Sequence, residues 1–385
     1  MKVAIAAHTK NHVFRLAEGL ANRDLLDCIY SVYPYFKVKQ YQLSSEKIVA
    51  FRHLAGLVFL AGKLKFRIPQ GWYSDYFDGL VARLLKKQKH RADVVHGLSG
   101  YFLKTLETAK SLGMKTVIDR GCPHIDFQYD LLNEEFERLL GKKDVFSKSG
   151  RVYDKMLEEY QQADAIFVPS HYSKNSFINR SVSMDKIKLV PLVKEKNVLK
   201  SEADESRRAH VKRPFTVLSV GQNFYRKGFC YLINAWNKLN LPNAQLIIRN
   251  TIPDEFHSLV DHASIKVLDS HLSDQALIEL YYQADVFCLP SIDEGFGMVA
   301  LEAMAAGLPI VVTDNVGMKD LMTDGEEGFI VPIRDIDALA EKIVCLYENS
   351  QLREMMGEKA YKTEQCHQLS GYIDEVERCY NGLIE

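Results

Sequence analysis

The 385-residue sequence predicts an α/β protein with two doubly wound, Rossmann-like domains that face each other across a cleft. Short runs rich in β-branched residues alternate with segments whose apolar residues recur at spacings of three and four, a pattern typical of parallel sheets with crossover helices. A charged stretch near position 200 interrupts this alternation, which then begins again. The length also suits two domains of about 150 residues each.

The first domain is predicted to span residues 1–193. Its candidate strands are KVAIAA, DVVHG, KTVID, AIFVPS and KIKLVPL, and FLKTLETAKSLG has the spacing of an amphipathic helix. Residues 194–213 contain eleven charged residues and few apolar ones, so we interpret this stretch as the linker.

The second domain is predicted to span residues 214–368, with candidate strands FTVLSVG, AQLIIRN, SIKVLD, DVFCLPS, LPIVVTD and GFIVPI. Residues 369–385 have a helical pattern that we expect to pack back toward the first domain. Ligands of open α/β sheets bind at the carboxyl ends of the strands, so the cleft between the domains is the expected site.

Composition and charge argue against several classes of protein. The formal net charge of -1 argues against nucleic-acid binding by bulk charge. No apolar run approaches the roughly 20 residues of a membrane helix, and the N-terminus has no signal-peptide pattern, which predicts a cytoplasmic protein, soluble or peripheral. The cysteines never form C-x-x-C, and the single D-x-D, Asp335 and Asp337, fits a helix cap, so we predict reduced thiols, no metal and no cofactor.

Residues 31–91 are markedly basic and aromatic. They contain twelve basic residues against three acidic ones, interleaved with many aromatic side chains. Such a surface suits anionic lipid, where each cation contributes ~1 kcal/mol. We therefore expect peripheral contact with the cytoplasmic face of the inner membrane. The alternative is a solvated region whose aromatic residues belong to the core.

The segment SIDEGFGMVALEAMAAGLPIVV, Ser291 to Val312, places two glutamates around a glycine-rich turn. A helix is predicted to start near Gly297, and its first amides and macrodipole suit a phosphate group. Glu302, inside this helix, can accept two hydrogen bonds from a ribose diol, and Glu294, before it, can accept bonds from sugar hydroxyls. The alternatives are a solvated helix carboxylate for Glu302 and an acidic N-cap for Glu294.

A second segment, SVGQNFYRKGFCYLINAW, carries Arg226 and Lys227 in the first βα turn of the second sheet. Cations at the end of this strand would neutralise a diphosphate leaving group. The alternative is a solvated pair.

These segments resemble the retaining glycosyltransferases of family 4, bacterial type, which have the GT-B fold. The resemblance rests on VGQNFYRKG, on SHLSDQALIELYYQADVFCLPS and above all on EGFGMVALEAMAAGLPIVVTDNVGMKDLMTDGEEGFIV. It is dense from Phe215 to about Leu346 and thin in the first domain, where QADAIFVPSHYSKNSF and KIKLVPL carry it.

The resemblance implies roles for residues of the second domain. Glu294 resembles the residue that holds the donor hexose, Glu302 the ribose ligand, and Lys227 the lysine that binds the diphosphate. Arg226 is the expected partner of this lysine. The backbone expected to hold sugar and phosphate belongs to Gly295, Phe296, Gly297, Met298 and Val299.

The chain departs from the family pattern in two places. Gln222 stands where an arginine is common, and AAHTKNHVFRLAEGL replaces a glycine pair in the first βα loop, where Lys10 is a candidate cation for the diphosphate. His124 resembles the family histidine near the acceptor and the donor sugar, and it joins Glu294 and Lys227 as an expected catalytic residue; the alternative is a structural histidine. Further candidates at predicted strand ends are Asp119, Arg120, Ser170 and His96.

The resemblance implies a retaining, metal-independent hexosyltransferase. Its donor would be a nucleotide diphosphate sugar of the UDP or GDP type, and its acceptor a saccharide or a lipid-linked saccharide in the synthesis of an envelope polysaccharide or glycoconjugate. The alternatives are a non-catalytic nucleotide-sugar-binding subunit and a GT-B nucleotide-sugar epimerase. A phosphorylase would require a pyridoxal lysine and a much longer chain.

Overall fold

The computed structural model describes residues 1–10, 12–64, 66, 68–87, 92–194, 213–268 and 272–385. Within them the chain forms two parallel sheets, of seven and six strands, with helices on the connections. This confirms the predicted fold class of two doubly wound domains. Most of the predicted linker, residues 195–212, lies outside the described residues.

The first sheet has the strand order β3-β2-β1-β4-β5-β6-β7. Its strands are β1 (Val3–Ala7), β2 (Leu26–Ser31), β3 (Ile48–Ala50), β4 (Val94–Leu98), β5 (Lys115–Asp119), β6 (Ala165–Val168) and β7 (Ile187–Leu189). The helices are α1 (Val13–Asn22), α2 (Tyr35–Val38), α3 (Arg52–Lys63), α4 (Gln70–Lys87), α5 (Leu103–Ser111), α6 (Ile125–Leu140), α7 (Arg151–Gln162) and α8 (His171–Ile178). β1 and β4 are buried along their whole length, as expected for parallel strands covered on both faces.

The second sheet has the order β10-β9-β8-β11-β12-β13. Its strands are β8 (Phe215–Val220), β9 (Ala244–Arg249), β10 (Ile265–Leu268), β11 (Val286–Leu289), β12 (Ile310–Thr313) and β13 (Gly328–Val331). The helices are α9 (Phe229–Lys238), α10 (Asp274–Gln283), α11 (Met298–Ala305), α12 (Ile336–Glu348), α13 (Ser350–Gln365) and α14 (Leu369–Ile384). The order reverses between β8 and β11, which is where such sheets bind ligands.

The last helix, α14, lies on the first domain rather than on the second. Ile373 packs over Gly19 of α1, where a methyl group on the glycine would overlap its side chain. Arg23, just after α1, pairs with Asp374 at 2.6 Å and with Glu377 at 2.8 Å. No helix in the described part of the chain is long and apolar enough to cross a membrane.

The two domains also meet across the cleft. Arg334, after β13, pairs with Glu134 at 2.7 Å and with the buried Glu135 at 2.8 Å, both on α6. On the same helix, the ring of Phe136 lies 4.4 Å from that of Tyr225. The structure therefore describes an arrangement in which the domains are in contact.

Candidate functional site

The glycine-rich turn after β11 leads directly into α11. Gly297 is the N-cap residue and has φ 107°, a left-handed conformation that favours glycine, and a Cβ there would lie 3.0 Å from Val316. A Cβ on Gly295 would overlap the carbonyl oxygen of Gly121 in the first domain. Gly297 is thus required by its backbone conformation and Gly295 by the close approach of the first domain, and α11 begins with Met298 and Val299 directly after this turn. The predicted helix start near Gly297 is confirmed.

Glu294 lies beside two cations. Its Oε2 accepts hydrogen bonds from Lys227 and, at 3.1 Å, from Arg226, which also donates to the carbonyl oxygen of Asp293 at 2.8 Å. Burial would raise the pKa of Glu294, but Lys227 and Arg226 outweigh it, and the pKa lies below its usual value. Glu294 is therefore an ionised carboxylate that is paired with two cations.

Arg226 and Lys227 are held by the loop between β8 and α9. The alkyl chain of Lys227 packs on Gly221, and a Cβ on that glycine would lie 3.0 Å from it. The ammonium group is almost fully buried, and burial lowers the pKa of Lys227 despite the opposing effect of Glu294. The interpretation of these cations as a solvated pair is therefore wrong.

Glu302 is buried on α11. Its Oε2 accepts a hydrogen bond of 2.9 Å from the hydroxyl of Tyr281 on α10. Burial keeps the pKa of Tyr281 well above its usual value, so the phenol remains a proton donor. The two simpler interpretations are wrong, because Glu302 is not a solvated carboxylate and the N-cap of α11 is Gly297 rather than Glu294.

Gln222 lies in the same loop as the cations and is exposed. It lines a cavity of about 540 Å³ at the carboxyl ends of β8 and β9. The other lining residues are Phe136, Gly221, Asn223, Phe224, Tyr225, Asn250, Thr251 and Pro253. Because Phe136 belongs to the first domain, both domains form this cavity.

Asp293 is a buried residue of the site that the sequence analysis missed. It accepts hydrogen bonds from Gln128 of α6 and, at 2.9 Å, from the hydroxyl of Tyr172 of α8. Gln128 is oriented in turn by Arg120, whose guanidinium donates to its Oε1 at 3.0 Å. Burial raises the pKa of Asp293 even though Arg226 opposes this effect. Asp293 thus joins the two domains one residue before Glu294.

Ser170 also reaches the turn before α11. It caps α8 through the amide of Ser173 at 3.1 Å and donates from its hydroxyl to the carbonyl oxygen of Gly295 at 2.7 Å. The neighbouring Phe296 is buried, and its carbonyl oxygen accepts a hydrogen bond from the amide of Met318. The first domain therefore positions the backbone of the turn directly.

Asp119 lies at the end of β5 in a buried chain of polar groups. Its Oδ2 is 2.9 Å from Nε2 of His12 and 3.4 Å from Nε2 of His96, and the hydroxyl of Tyr380 is 2.7 Å from Nδ1 of His96. Burial would raise the pKa of Asp119, but the two imidazoles outweigh it and lower the pKa. His12, which the sequence analysis also missed, could have been suspected from its place in the first βα loop. The chain of contacts links α14 to the floor of the cleft.

The side chains of Lys10 and His124 have hydrogen-bond partners other than Glu294 and Lys227. Lys10 is exposed and donates to Gln40 at 3.1 Å. His124 caps α6, where its Nδ1 accepts from the amide of Asp126 at 3.2 Å, and burial lowers its pKa to about 4. Within the described residues, neither side chain forms a hydrogen bond or ion pair with Glu294 or Lys227.

The described residues include no group of three or more His, Cys, Asp or Glu side chains suited to hold a metal ion. Asp335 instead caps α12, because its side chain accepts a hydrogen bond of 2.8 Å from the amide of Ala338. This confirms the interpretation of the D-x-D sequence as a helix cap.

Comparison with known proteins finds a family model for part of the chain. Residues 200–363 match the model described as "Glycosyl transferases group 1". The capsular polysaccharide biosynthesis glycosyltransferase CapM of Staphylococcus aureus is 32% identical over 180 residues, which are 44% of this chain and 47% of CapM. The phosphatidyl-myo-inositol mannosyltransferase of Mycobacterium leprae is 36% identical over 148 residues, 36% of this chain and 39% of that protein. The matches thus span about half of these relatives or less.

Solved structures resemble the whole chain. Anabaena HepE in complex with UDP and glucose has a TM-score of 0.70 at 17% identity and covers 99% of each chain. WaaG, a glycosyltransferase involved in lipopolysaccharide biosynthesis, has a TM-score of 0.69 at 17% identity and covers 99% of this chain and 100% of its own. The protein therefore has the GT-B fold, and its residues 200–363 match the group 1 glycosyl transferases.

Proposed function

We propose that the protein is a retaining glycosyltransferase that moves a hexosyl unit from a nucleotide diphosphate sugar, of the UDP or GDP type, to an acceptor hydroxyl. The observation that carries the proposal is the cluster of Glu294, Lys227 and Arg226 beside the N-terminus of α11. Positive groups and helix amides suit a diphosphate, and a carboxylate suits sugar hydroxyls. HepE, which shares the fold, has been solved with UDP and with UDP-glucose, which supports a donor of this class.

The geometry supports the following division of labour. Glu294 accepts hydrogen bonds from the donor hexose, and Glu302 from the ribose. The bond between the anomeric carbon and the diphosphate oxygen breaks while Lys227, Arg226 and the α11 amides stabilise the leaving charge. The acceptor oxygen bonds to the anomeric carbon on the same face, and a diphosphate oxygen takes its proton. These cations supply the charge that a metal would otherwise provide, so we propose a metal-independent reaction without a protein nucleophile.

The acceptor is proposed to be a saccharide or a lipid-linked saccharide. The names of the relatives support this class, since CapM is described for capsular polysaccharide biosynthesis and the mycobacterial protein for phosphatidyl-myo-inositol. We also propose that the protein works at the cytoplasmic face of the inner membrane and contacts anionic lipid through its basic, aromatic residues 31–91.

The function is tested by incubating the protein with UDP-, GDP- and ADP-sugars in the absence of acceptor. A transferase should slowly release free nucleotide from one of them, and Glu294→Gln should abolish the release while nucleotide binding, measured by thermal shift, is retained. A non-catalytic subunit would bind the sugar without releasing nucleotide, and an epimerase would convert the sugar into a second one detectable by NMR. With an acceptor, NMR of the product should show the anomeric configuration of the donor, and an inverted product would refute the retaining mechanism.

A further inference from the structure

Helix α3 exposes an unusual amount of apolar surface. Leu54 and Ala61 anchor it to the first domain, but the side chains from Leu57 to Leu60 all face solvent, with Phe59 65% and Leu60 53% exposed. The apolar surface continues past the helix, where Leu64 is 69% exposed. A surface helix of a soluble protein normally covers such residues, because apolar area in water is unfavourable. This exposed surface therefore implies an occupant.

Aromatic side chains are also exposed on two other helices of the first domain, one of which adjoins α3, where the ring of Tyr76 lies 6.0 Å from that of His53. On α4, the rings of Trp72 and Tyr76 stack at 5.2 Å, and both are more than a third exposed. On α2, Tyr35 and Phe36 are exposed as well. Tryptophan and tyrosine favour the boundary between water and lipid, where one end of the ring is apolar and the other is hydrated. We call the side chains of Tyr35, Phe36, Leu57, Val58, Phe59, Leu60, Leu64, Phe66, Trp72 and Tyr76 the apolar patch.

The cations that border the apolar patch lie over its rings. The ammonium of Lys63 is 4.9 Å from the ring centre of Phe59, that of Lys37 is 5.8 Å from Phe36, and that of Lys39 is 5.9 Å from Tyr35. Their long side chains can keep the charge at a membrane surface while the stems cover apolar area.

Of the three acidic residues between positions 31 and 91, only Glu46 is exposed. Asp75 and Asp78, which follow Trp72 on α4, are turned inward and pair with the buried Lys155 at 2.6 Å and 3.2 Å. The outward charge of this surface is therefore positive. An anionic partner is favoured over a second copy of the same basic surface, because like charges would face each other in a symmetric contact.

We propose that α3 inserts into the hydrocarbon boundary of an anionic membrane, with the apolar patch among the acyl chains and Lys37, Lys39 and Lys63 at the headgroups. This inference rests on the proposed function and extends it: the proposed contact of residues 31–91 with anionic lipid is electrostatic and needs no insertion, whereas here apolar side chains enter the membrane. An amphipathic helix of this type lies in the plane of the membrane, with its apolar face roughly 5–10 Å below the headgroups. The insertion anchors the protein without a membrane-spanning helix.

The position of the apolar patch also relates the membrane to the cleft. Tyr73, the neighbour of Trp72 on α4, directs its hydroxyl toward the carbonyl oxygen of His8 at 3.5 Å. His8 directly follows β1 and stacks on Tyr101 at 3.4 Å. The inserted surface is thus one side chain away from the carboxyl end of β1, the edge of the first sheet that faces the cleft. An acceptor held in the membrane would reach the cleft along this edge.

The experiment uses the full chain and vesicles of phosphatidylcholine with phosphatidylglycerol, without any nucleotide sugar. Insertion predicts cosedimentation that persists at high salt, and loss of affinity by about tenfold or more in the double variant Phe59→Ser and Leu60→Ser. The matched control is Met355→Ser on α13, an apolar side chain with 67% exposure in the second domain, which should bind vesicles like the wild type. All replaced side chains are exposed, and a thermal melt checks that the variants fold.

Tryptophan fluorescence reports the insertion directly, since the chain has two tryptophans and Trp236 is buried in the second domain. Trp72 should shift to shorter wavelength on binding and be quenched by brominated lipid, and Trp72→Phe should remove both effects. Binding that disappears at high salt, or that the serine variants retain, would overturn the proposal. So would a dimer in ultracentrifugation that the serine variants abolish, because a second copy would then cover α3. Nucleotide release is measured without vesicles, so failure of the insertion leaves the test of the transferase function intact.

Discussion

The buried carboxylate of Asp293 joins the two domains, so its removal should weaken their closure. Asp293→Ala deletes the acceptor of two hydrogen bonds, one from Gln128 and one from Tyr172. Both donors would then stay buried at the domain interface without that acceptor, whereas an open cleft would hydrate them. A buried polar group that loses its partner costs about 1–3 kcal/mol, so we expect closure to be less favourable by about 3 kcal/mol.

A change of this size corresponds to a factor of roughly a hundred in the closure equilibrium. If transfer takes place in the closed arrangement, kcat/KM should fall by a similar factor, and small-angle scattering with donor present should show a larger radius of gyration than the wild type. Tyr172→Phe removes only one of the two donors and should cost about 1 kcal/mol.

The double variant Asp293→Ala and Tyr172→Phe gives the decisive comparison. Because both changes remove the same hydrogen bond, their combined effect on kcat/KM should be smaller than the sum of the single effects. Tyr347→Phe is the matched control, since this hydroxyl donates to the carbonyl oxygen of Pro242 at 2.8 Å within the second domain. Single effects that add to within about 0.5 kcal/mol would refute the role assigned to Asp293.

Three further variants test other contacts of the cleft. Gly295→Ala should abolish transfer while each domain stays folded, because the added methyl group would overlap the backbone of the opposite domain. The control is Gly79→Ala on α4, where an added Cβ has no atom within 4 Å. Full activity of Gly295→Ala would disprove the close approach. His124 is buried as a neutral imidazole with a pKa of about 4, so its contribution to stability is complete above pH 6.5 and is lost as the pH falls toward 4, by about 1.4 kcal/mol per pH unit. His124→Asn, which can still cap α6, should flatten the dependence of the melting temperature on pH in that window. If this variant keeps the turnover of the wild type, His124 only caps the helix; if turnover is lost while the fold is kept, the predicted catalytic role is supported. Tyr380→Phe leaves His96 without its hydroxyl partner and should lower the free energy of unfolding in urea by about 1–3 kcal/mol, and an unchanged value would show that the hydrogen bond contributes nothing to stability.

The fold class and the local structure around α11 could be predicted from the sequence because their signals are local. The buried strands appear in the sequence as short runs of β-branched residues, and the turn has a glycine at position 297, where its backbone conformation requires one. The same holds for Asp335, which stands three residues before the amide that it caps. Each of these features depends on neighbours within a few positions of the chain.

The contacts between elements that lie far apart in the sequence could not be predicted in this way. Asp293 and Gln128 are separated by 165 residues, and His12 and Asp119 by 107. Their pairing follows from the docking of whole elements, which no spacing in the sequence encodes. His124 shows the opposite case. Its place after a strand predicts a residue of the cleft, but in the structure its ring nitrogen accepts a hydrogen bond from the backbone of α6.

The basic, aromatic residues 31–91 contain both kinds of aromatic side chain that the sequence analysis considered, those of a membrane-binding surface and those of the core. Phe51 and Phe77 are buried and belong to the core, as the alternative reading held, whereas Phe36, Phe59 and Phe66 are exposed. Composition alone does not separate the two groups, because burial depends on which face of each helix meets the sheet.

The return of α14 to the first domain means that the chain passes between the domains twice. The last described residues before the linker contact the segment that leads into α14: Lys194 pairs with Glu364 at 2.7 Å, and His367 lies 2.7 Å from the carbonyl oxygen of Leu192. We expect these contacts to hold the two domains together at this point when the cleft opens. The mouth of the cleft should then move the most, and the backbone beside Leu192 and His367 the least.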